Sequence, residues 1–403
     1  MDGNRNIPSS SSRTGREREG DRRSAALNLI INRSAQCDIR NVALRTELST
    51  SGAGRPNSPD HHSKMESDLP VPDYKLIRCR LSQPRRQQRF RTLQCCAFEP
   101  DPVYPELTNS IAAICGAEAL YLLDCSTGVM MYENFFPEEN FRALAWTTLK
   151  LHNGENLNVL AAGGDMRSIR LLHSPNLVTY AVLLGHSFGI TCLTFHPKKP
   201  SLLFSGDRQG YVYVWNLGIP TKLNCSNTLL MQFKCPCPDF YPILNLVVMP
   251  TYDTLLVSCG DSIFAWVIND LRQISQKEKE PPASLQIKVP TQRGPWFDGL
   301  VRISDKLIVV NSIEEGASYV IDFTQVVSKL FNPNIESMTV EVLGKLRWLE
   351  TEDIYVTIKA RPGVGAVFSG NNKGGVWIYD VFRYVSNGGP HPKFDIPPIK
   401  VRL

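Results

Sequence analysis

The stretch LLGHSFGITCLTFHPKKPSLLFSGDRQGYVYVWNL, residues 183–217, decides the fold of this chain. It contains a Gly185–His186 pair, an apolar strand that ends at His196, the run LLFSG, a tight turn, and an alternating strand that closes on Trp215. Alternating apolar residues predict strands with a buried face, and turns that contain Gly predict that consecutive strands pair. The stretch therefore predicts a small antiparallel sheet.

Weaker copies of the same pattern flank this stretch at a spacing of about 50 residues, which indicates a repeat architecture. They begin at Leu93, Phe141, Ile243, Phe297 and Tyr355. Repeats of this length that carry Gly-His and a closing Trp are WD repeats, and each forms one blade of a β-propeller. The sequence therefore predicts an all-β WD-repeat β-propeller with six readable blades and an incomplete seventh blade.

Three regions are expected along the chain. Residues 1–72 have no aromatic residue and few apolar residues, so we predict a disordered basic arm. Residues 73–383 are predicted to form the propeller, and residues 384–403 an irregular Pro/Gly-rich tail. Tyr74–Leu81 is predicted to be the outer strand of a last blade that lacks its three inner strands. We therefore expect an open seam, with apolar blade faces in water, between the sixth and first blades.

The charge of the chain is concentrated near its N-terminus. Residues 1–91 hold 18 Lys and Arg against 10 Asp and Glu, while the whole chain has a formal net charge of +5. A solvated basic segment attracts polyanions such as nucleic acid by releasing their counterions. The candidate contact residues are Arg78, Arg80, Arg85, Arg86, Arg89 and Arg91. A solvated linker without a defined partner is the alternative interpretation.

Cysteine usage and hydropathy bear on the compartment. The 11 Cys are scattered, and several lie inside apolar runs, which favours reduced thiols in a reducing compartment. The sequence has no signal peptide at its start and no apolar run of about 18 residues. We therefore expect a soluble intracellular protein that does not contact a membrane.

Enzyme motifs are not recognisable in this sequence, which has neither a P-loop nor a nucleophile elbow. Cys235-Pro236-Cys237 is the nearest approach to a metal motif, but its spacing is too short for a zinc knuckle and no second pair lies nearby. We therefore predict a binding protein that uses no cofactor and no metal.

Three residues of the best-formed repeat match the hydrogen-bond network of WD repeats. They are His186, Ser205 and Trp215, and the position that usually holds the Asp of this network is Gln209. We expect these side chains to be structural rather than catalytic, with a histidine that lacks its charged acceptor.

The idiosyncratic run IAAICGAEALYLLDCSTG, residues 111–128, points to one family in particular. Together with AAGGDMRSIRLLH and GGVWIYDV, it resembles the propeller of the leucine-rich repeat and WD repeat-containing protein 1 family, from about Tyr74 to about Val381. The resemblance implies a chromatin scaffold in the nucleus that binds the origin recognition complex and histone tails with repressive trimethyl-lysine marks. It also implies roles in replication initiation and heterochromatin organisation.

Recognition of trimethyl-lysine requires an aromatic cage, because this cation has no N–H group and is bound through the faces of aromatic rings. Phe188, Tyr241 and Trp296 stand just ahead of the predicted innermost strands of three consecutive blades, so they are the candidate cage. Packing between blades is the alternative role for these rings.

A second function from another class is a substrate receptor of a cullin-based ubiquitin ligase. The run YDVFR, from Tyr379 to Arg383, is similar to the WD-x-R adaptor-docking motif, with one additional residue before the Arg.

Overall fold

The computed structural model describes residues 25–32, 74–81, 93–105, 107–174, 176–219, 226–237, 241–269, 271, 281–292, 296–312, 314–347, 358–370, 376–385, 394–396 and 398–401. The chain divides into two compact units, Met1–Arg89 and Phe90–Leu403. In the first unit, β1 (Ala25–Asn32) pairs with β2 (Tyr74–Leu81) in an antiparallel two-stranded sheet.

The second unit is a β-propeller with six blades, in each of which four strands form an antiparallel sheet. Blades 1 to 3 consist of β3 (Cys95–Pro100), β4 (Thr108–Gly116), β5 (Ala119–Asp124), β6 (Val129–Phe135), β7 (Phe141–Lys150), β8 (Asn156–Gly164), β9 (Ser168–His173), β10 (Val178–Leu184), β11 (Ile190–Phe195), β12 (Leu202–Asp207), β13 (Tyr211–Asn216) and β14 (Thr228–Lys234).

Blades 4 to 6 follow in the same order, and two of them carry an additional strand. Their strands and the two short helices of this region are β15 (Ile243–Met249), β16 (Thr254–Cys259), β17 (Ser262–Val267), β18 (Leu285–Lys288), β19 (Phe297–Arg302), β20 (Leu307–Ser312), β21 (Ala317–Asp322), α1 (Thr324–Leu330), β22 (Ser337–Thr339), β23 (Val342–Arg347), β24 (Lys359–Arg361), β25 (Ala366–Gly370), β26 (Val376–Asp380), α2 (Val381–Val385), β27 (Phe394–Ile396) and β28 (Ile399–Val401).

The additional strands fasten neighbouring blades to each other. β22 lies between two strands of blade 5 in the sequence, yet it pairs in parallel with β18 at the outer edge of blade 4. β27 pairs in parallel with β23 of blade 5, and β28, three residues further on, pairs with β26 of blade 6. The chain thus crosses between adjacent blades at their outer edges.

The core lies between the blades, because successive side chains of a strand point to opposite faces of its sheet. In β12, Leu203 packs with Trp215 against blade 2, while the next residue, Phe204, packs with Val212 against blade 4. Buried clusters of this kind join blades 1 and 2, 2 and 3, 3 and 4, 4 and 5, and 5 and 6. Each fully buried Leu or Phe contributes about 1.5–3 kcal/mol, so the interfaces between blades supply most of the apolar stabilisation.

One expectation about the N-terminal part of the chain is wrong. Tyr74–Leu81 does not complete a blade, because it pairs with Ala25–Asn32. Within residues 1–72, Ala25–Asn32 is a strand of eight residues that pairs with β2. The tail, residues 384–403, contains β27 and β28, and Ile399 of β28 pairs with Ile378 of β26.

The exposed seam is also a wrong expectation. Ile114 and Leu123 of blade 1 point away from blade 2, yet they are 1% and 0% exposed, and Ile378 of blade 6 is 1% exposed. Burial raises the pKa of the Cys115 thiol in blade 1, and the positive charge of Lys359 in β24 acts in the opposite direction. These apolar faces are therefore not in water.

Candidate binding face of the propeller

The upper rim of the propeller is formed by the loops that precede the first strand of each blade and by the turns that follow the second strand. The two kinds of segment meet because the first two strands are antiparallel, as in blade 3, where Ile190 at the start of β11 pairs with Asp207 at the end of β12. Side chains from distant parts of the sequence therefore come together along this rim.

A buried polar network supports the rim in blade 3. The Nε2 atom of His186 lies 2.6 Å from the Oγ atom of Ser205, and the Nε1 atom of Trp215 donates a hydrogen bond to the same oxygen at 2.9 Å. The three side chains predicted to form this network are thus brought together. They connect the loop before β11 to the second and third strands of the blade.

The acid of the network is Asp207, so the prediction that the histidine lacks a charged acceptor is wrong. The Oδ2 atom of Asp207 lies 3.1 Å from Nδ1 of His186. Its Oδ1 atom accepts hydrogen bonds from the backbone N–H groups of Gln209 and Tyr211, at 2.9 and 3.0 Å. The acid stands two residues earlier than in the repeat consensus. An Asp so close to the consensus position is the sequence signal that could have identified it.

Ser205, His186 and Asp207 have the hydrogen-bond order of a catalytic triad, but they are not placed for catalysis. The Ser205 and Asp207 residues are 0% exposed, and the side chain of His186 is also fully buried. The Ser205 oxygen is already bonded to Trp215. Because a nucleophile must reach its substrate, this network stabilises the blade rather than catalysing a reaction.

Two of the three predicted cage residues are in contact. The ring centroids of Tyr241 and Trp296 lie 5.2 Å apart, and the ring planes meet at 87°. Tyr241 precedes β15 and Trp296 precedes β19, so the pair bridges blades 4 and 5 at the upper rim. Phe188 precedes β11 and is 40% exposed, but among the described residues it forms no ring contact with the other two.

Gly260 supports this ring pair. Its φ is +61°, and a Cβ atom at this position would lie 2.5 Å from Cδ2 of Tyr241, so only glycine allows the ring to lie against the turn after β16. The N–H of Phe297, directly after Trp296, donates a hydrogen bond to the Gly260 carbonyl at 3.2 Å. Asp261 follows in the same turn and is exposed. Gly260 thus fixes the Tyr241 ring against the turn after β16.

A charged cluster that the sequence did not predict lies on the rim of blades 2 and 3. The Oδ1 atom of Asp165 accepts hydrogen bonds from Nε of Arg142 at 2.8 Å and from Nη2 of Arg208 at 2.6 Å. Burial opposes ionisation of this carboxyl, but hydrogen bonds from Arg142 and Asn140 hold its pKa below the ordinary value. Asp165 therefore binds two guanidinium groups at the junction of the two blades.

The remaining predicted sites are described only in part. Arg78 and Arg80 lie in β2, opposite Asn28 and Ala26, and their side chains are outside the described residues. The other four arginines of the basic cluster, Arg85, Arg86, Arg89 and Arg91, lie wholly outside them. Of the adaptor-like run, Tyr379 is fully buried and its hydroxyl donates to the Arg347 carbonyl, while Arg383 is exposed in α2.

The described ranges show neither a metal-binding cluster nor a membrane-spanning helix. There, no group of three or more His, Cys, Asp or Glu side chains has an arrangement that fits a metal ion. No helix in the same ranges has the length and apolar character that a membrane crossing requires.

Comparison with known proteins identifies the family. The chain is 27% identical over 346 residues to leucine-rich repeat and WD repeat-containing protein 1 of Xenopus laevis, covering 83% of this chain and 47% of that protein. It is 28% identical over 315 residues to the Mus musculus protein of the same name, covering 72% of this chain and 45% of that protein. The chain thus spans about half the length of the curated relatives it matches.

A solved structure supports the fold alone. The structure of U3-55K has a TM-score of 0.51 and 12% sequence identity, over 78% of this chain and 84% of that chain.

The family profile described as "Leucine-rich repeat and WD repeat-containing protein 1, WD domain" matches residues 67–402. This chain therefore belongs to the family of leucine-rich repeat and WD repeat-containing protein 1, through its WD domain.

Proposed function

We propose that this chain is a chromatin-associated scaffold of the nucleus, which binds the origin recognition complex and histone tails that carry trimethyl-lysine. It supports replication initiation and heterochromatin organisation by holding these partners together. The family assignment supports the scaffold role. The observation that carries histone recognition is the ring pair formed by Tyr241 and Trp296.

The chemistry of the ring pair suits a quaternary ammonium group. Two rings at right angles present one face and one edge to a common corner, and a cation is attracted to the face of an aromatic ring. Asp261, in the turn that supports Tyr241, adds a negative charge nearby. Phe188, which is exposed on the neighbouring blade, is available to contact residues of the peptide that flank the methylated lysine.

Peptide binding tests this role. Each cage ring contributes about 0.5–2 kcal/mol, so Tyr241→Ala and Trp296→Ala should each weaken binding of a trimethyl-lysine histone peptide by about 2- to 30-fold. Tyr241→Phe keeps the ring and is the matched control, with affinity close to that of the wild type. Titration of fluorescent peptides, with trimethylated or unmodified lysine, measures both effects, and equal affinity of wild type and Tyr241→Ala would exclude this cage.

Association with the origin recognition complex is tested separately. Affinity purification from nuclear extract should recover origin recognition complex subunits with both the wild type and the double variant Tyr241→Ala/Trp296→Ala. Recovery of cullin ligase adaptors in place of these subunits would instead favour the substrate-receptor function. A melting temperature equal to that of the wild type shows that the double variant is folded.

The basic segment is proposed to contact nucleic acid. Because phosphate contacts release counterions, binding of duplex DNA should weaken steeply with salt and depend little on sequence. Replacing both Arg78 and Arg80 by Ala should lower the slope of log affinity against log salt by about 2. An unchanged slope would show that these two arginines do not contact phosphate.

A further inference from the structure

Three thiols meet where blade 3 joins blade 4. Cys235 and Cys237 follow β14, and Cys259 is the last residue of β16. The Sγ atoms of Cys237 and Cys259 lie 3.4 Å apart, and Cys259 is also hydrogen-bonded to Cys235. Cys237 and Cys259 are 22 positions apart in sequence, so only the fold creates the contact.

Accessibility differs between the two closest thiols. Cys259 is 0% exposed, whereas Cys237 is only partly buried at the upper rim. A small oxidant that approaches from the rim therefore meets Cys237 first. The buried partner then lies directly behind it, in the position of a resolving thiol.

We propose that Cys237 and Cys259 form a redox modification site, at which a hydroperoxide converts the two thiols into a reversible disulfide. The observation that carries the proposal is the direct contact of the two sulfur atoms, one of them accessible from the rim.

The reaction balances in two steps. In the first step, the Cys237 thiol loses its proton to solvent and its sulfur attacks hydrogen peroxide, so that an S–O bond forms and the O–O bond breaks; the hydroxide that leaves takes up that proton as one water. In the second step, the Cys259 sulfur attacks the Cys237 sulfur, so that the S–S bond forms and the S–O bond breaks. The released hydroxide takes up the Cys259 proton as a second water. Two thiols are oxidised by two electrons, and a dithiol reductant reverses the change.

Little movement is required to close the bond. A disulfide is about 2.05 Å long, so the two sulfurs, now 3.4 Å apart, must approach by about 1.4 Å. The hydrogen bond to Cys259, together with burial, raises the pKa of the Cys237 thiol above its ordinary value. Because the thiolate is the nucleophile, oxidation should be slow at neutral pH and faster as the pH rises.

Formation of the disulfide changes the upper rim. The Cys259 thiol donates a hydrogen bond to the Tyr241 carbonyl at 3.5 Å, and a disulfide has no hydrogen to donate. The segment that contains Cys237 would also become covalently tied to the end of β16. The modification itself does not depend on which ligand the rim binds.

Peptide mapping of the oxidised full-length chain tests the proposal. Trypsin cleaves after Lys234, and a protease that cleaves before Asp separates residues 235–238 from residues 253–260. After treatment with hydrogen peroxide, these two fragments should be recovered joined, with the mass of two hydrogen atoms lost, and reductant should separate them. Recovery of the two fragments unjoined, with Cys237 oxidised to sulfinic acid, would overturn the proposal.

Variants identify the sulfur atoms involved. Cys237→Ser should abolish the joined fragments, whereas Cys235→Ser should retain them, because Cys237 remains the partner of Cys259. Loss of the joined fragments in Cys235→Ser would assign the bond to Cys235 and overturn the proposal. Cys125→Ser, at a buried thiol of blade 1, is the matched control and should behave as the wild type. The wild-type mapping needs no substitution, and fragmentation of the joined peptides in the mass spectrometer, which places the bond on Cys235 or on Cys237, decides between them if a variant fails to fold.

Discussion

The Nδ1 atom of His186 lies 3.1 Å from the Oδ2 atom of Asp207, and both side chains are fully buried. This pair joins the loop before β11 to the end of β12, and Asp207 also holds the turn that follows through its bonds to two backbone N–H groups. A buried carboxylate with these partners stabilises the blade only while all of them are present, since a buried group left without its partner loses its hydration without compensation.

Replacing Asp207 by Asn should lower the free energy of unfolding by about 2–4 kcal/mol, because it removes the charge that His186 and the turn share. Urea denaturation followed by fluorescence measures the change. Gln209→Ala, at the position where the repeat consensus has its Asp, is the matched control and should change stability by less than about 0.5 kcal/mol. A larger effect for Gln209→Ala than for Asp207→Asn would show that Asp207 is not the acid of the network.

Gly185 lies against the ring of Trp215, so a larger side chain at position 185 should destabilise blade 3. A Cβ atom at position 185 would lie 2.9 Å from Cη2 of Trp215, so Gly185→Ala should cost about 1–3 kcal/mol of stability. Trp215→Ala should cost about 3–5 kcal/mol, because it empties a buried aromatic site. In the Trp215→Ala background, Gly185→Ala should be nearly neutral, since the ring it crowds is gone. Additive losses in this double-mutant cycle would show that the two residues do not interact.

Asp298 of β19 predicts a pH dependence of stability. Burial raises the pKa of its carboxyl to about 7, although a hydrogen bond from Asn311 partly offsets the rise. In the unfolded chain this carboxyl ionises at about pH 3.9. Between these two values the folded state therefore binds more protons than the unfolded state, so this group makes the protein less stable as the pH rises from about 4 to 7.

Asp298→Asn should remove this dependence. The difference in unfolding free energy between variant and wild type should increase in favour of Asn by at most about 1.4 kcal/mol per pH unit from pH 4 to 7, and level off above pH 7. Urea titrations at several pH values give this difference. A constant difference across that range would show that Asp298 ionises normally.

β28 is the outer strand of blade 6, so a substitution that disrupts this strand should lower the stability of the propeller. Lys400 of β28 pairs with Trp377 of β26, and proline at position 400 removes a backbone donor from the strand. Lys400→Pro should lower the melting temperature by several degrees, because each kcal/mol of lost stability lowers it by about 2–4 °C. Lys400→Ala keeps the backbone N–H and is the control. Equal melting temperatures of the two variants would mean that β28 does not stabilise blade 6.

The fold could be predicted from the sequence because each blade is encoded locally. In β12 and β13, apolar residues alternate with period two and a short turn joins the strands, so the sheet can be recognised from about 40 consecutive residues. Six such patterns predicted six blades, and the described residues form six. The first strands of blades 2, 4 and 5 begin at Phe141, Ile243 and Phe297, the residues at which the repeats were predicted to begin.

The sequence by itself determined the repeat, the blade number and the family, since these depend on residues that are close together along the chain. Only the tertiary structure decided which acid bonds to His186, which strand completes blade 6 and which thiol faces Cys237. Each of these depends on a contact between segments that are far apart in sequence. The loops and crossovers that bring such segments together carry no periodic signal, and the distances they set arise only when all blades pack against each other.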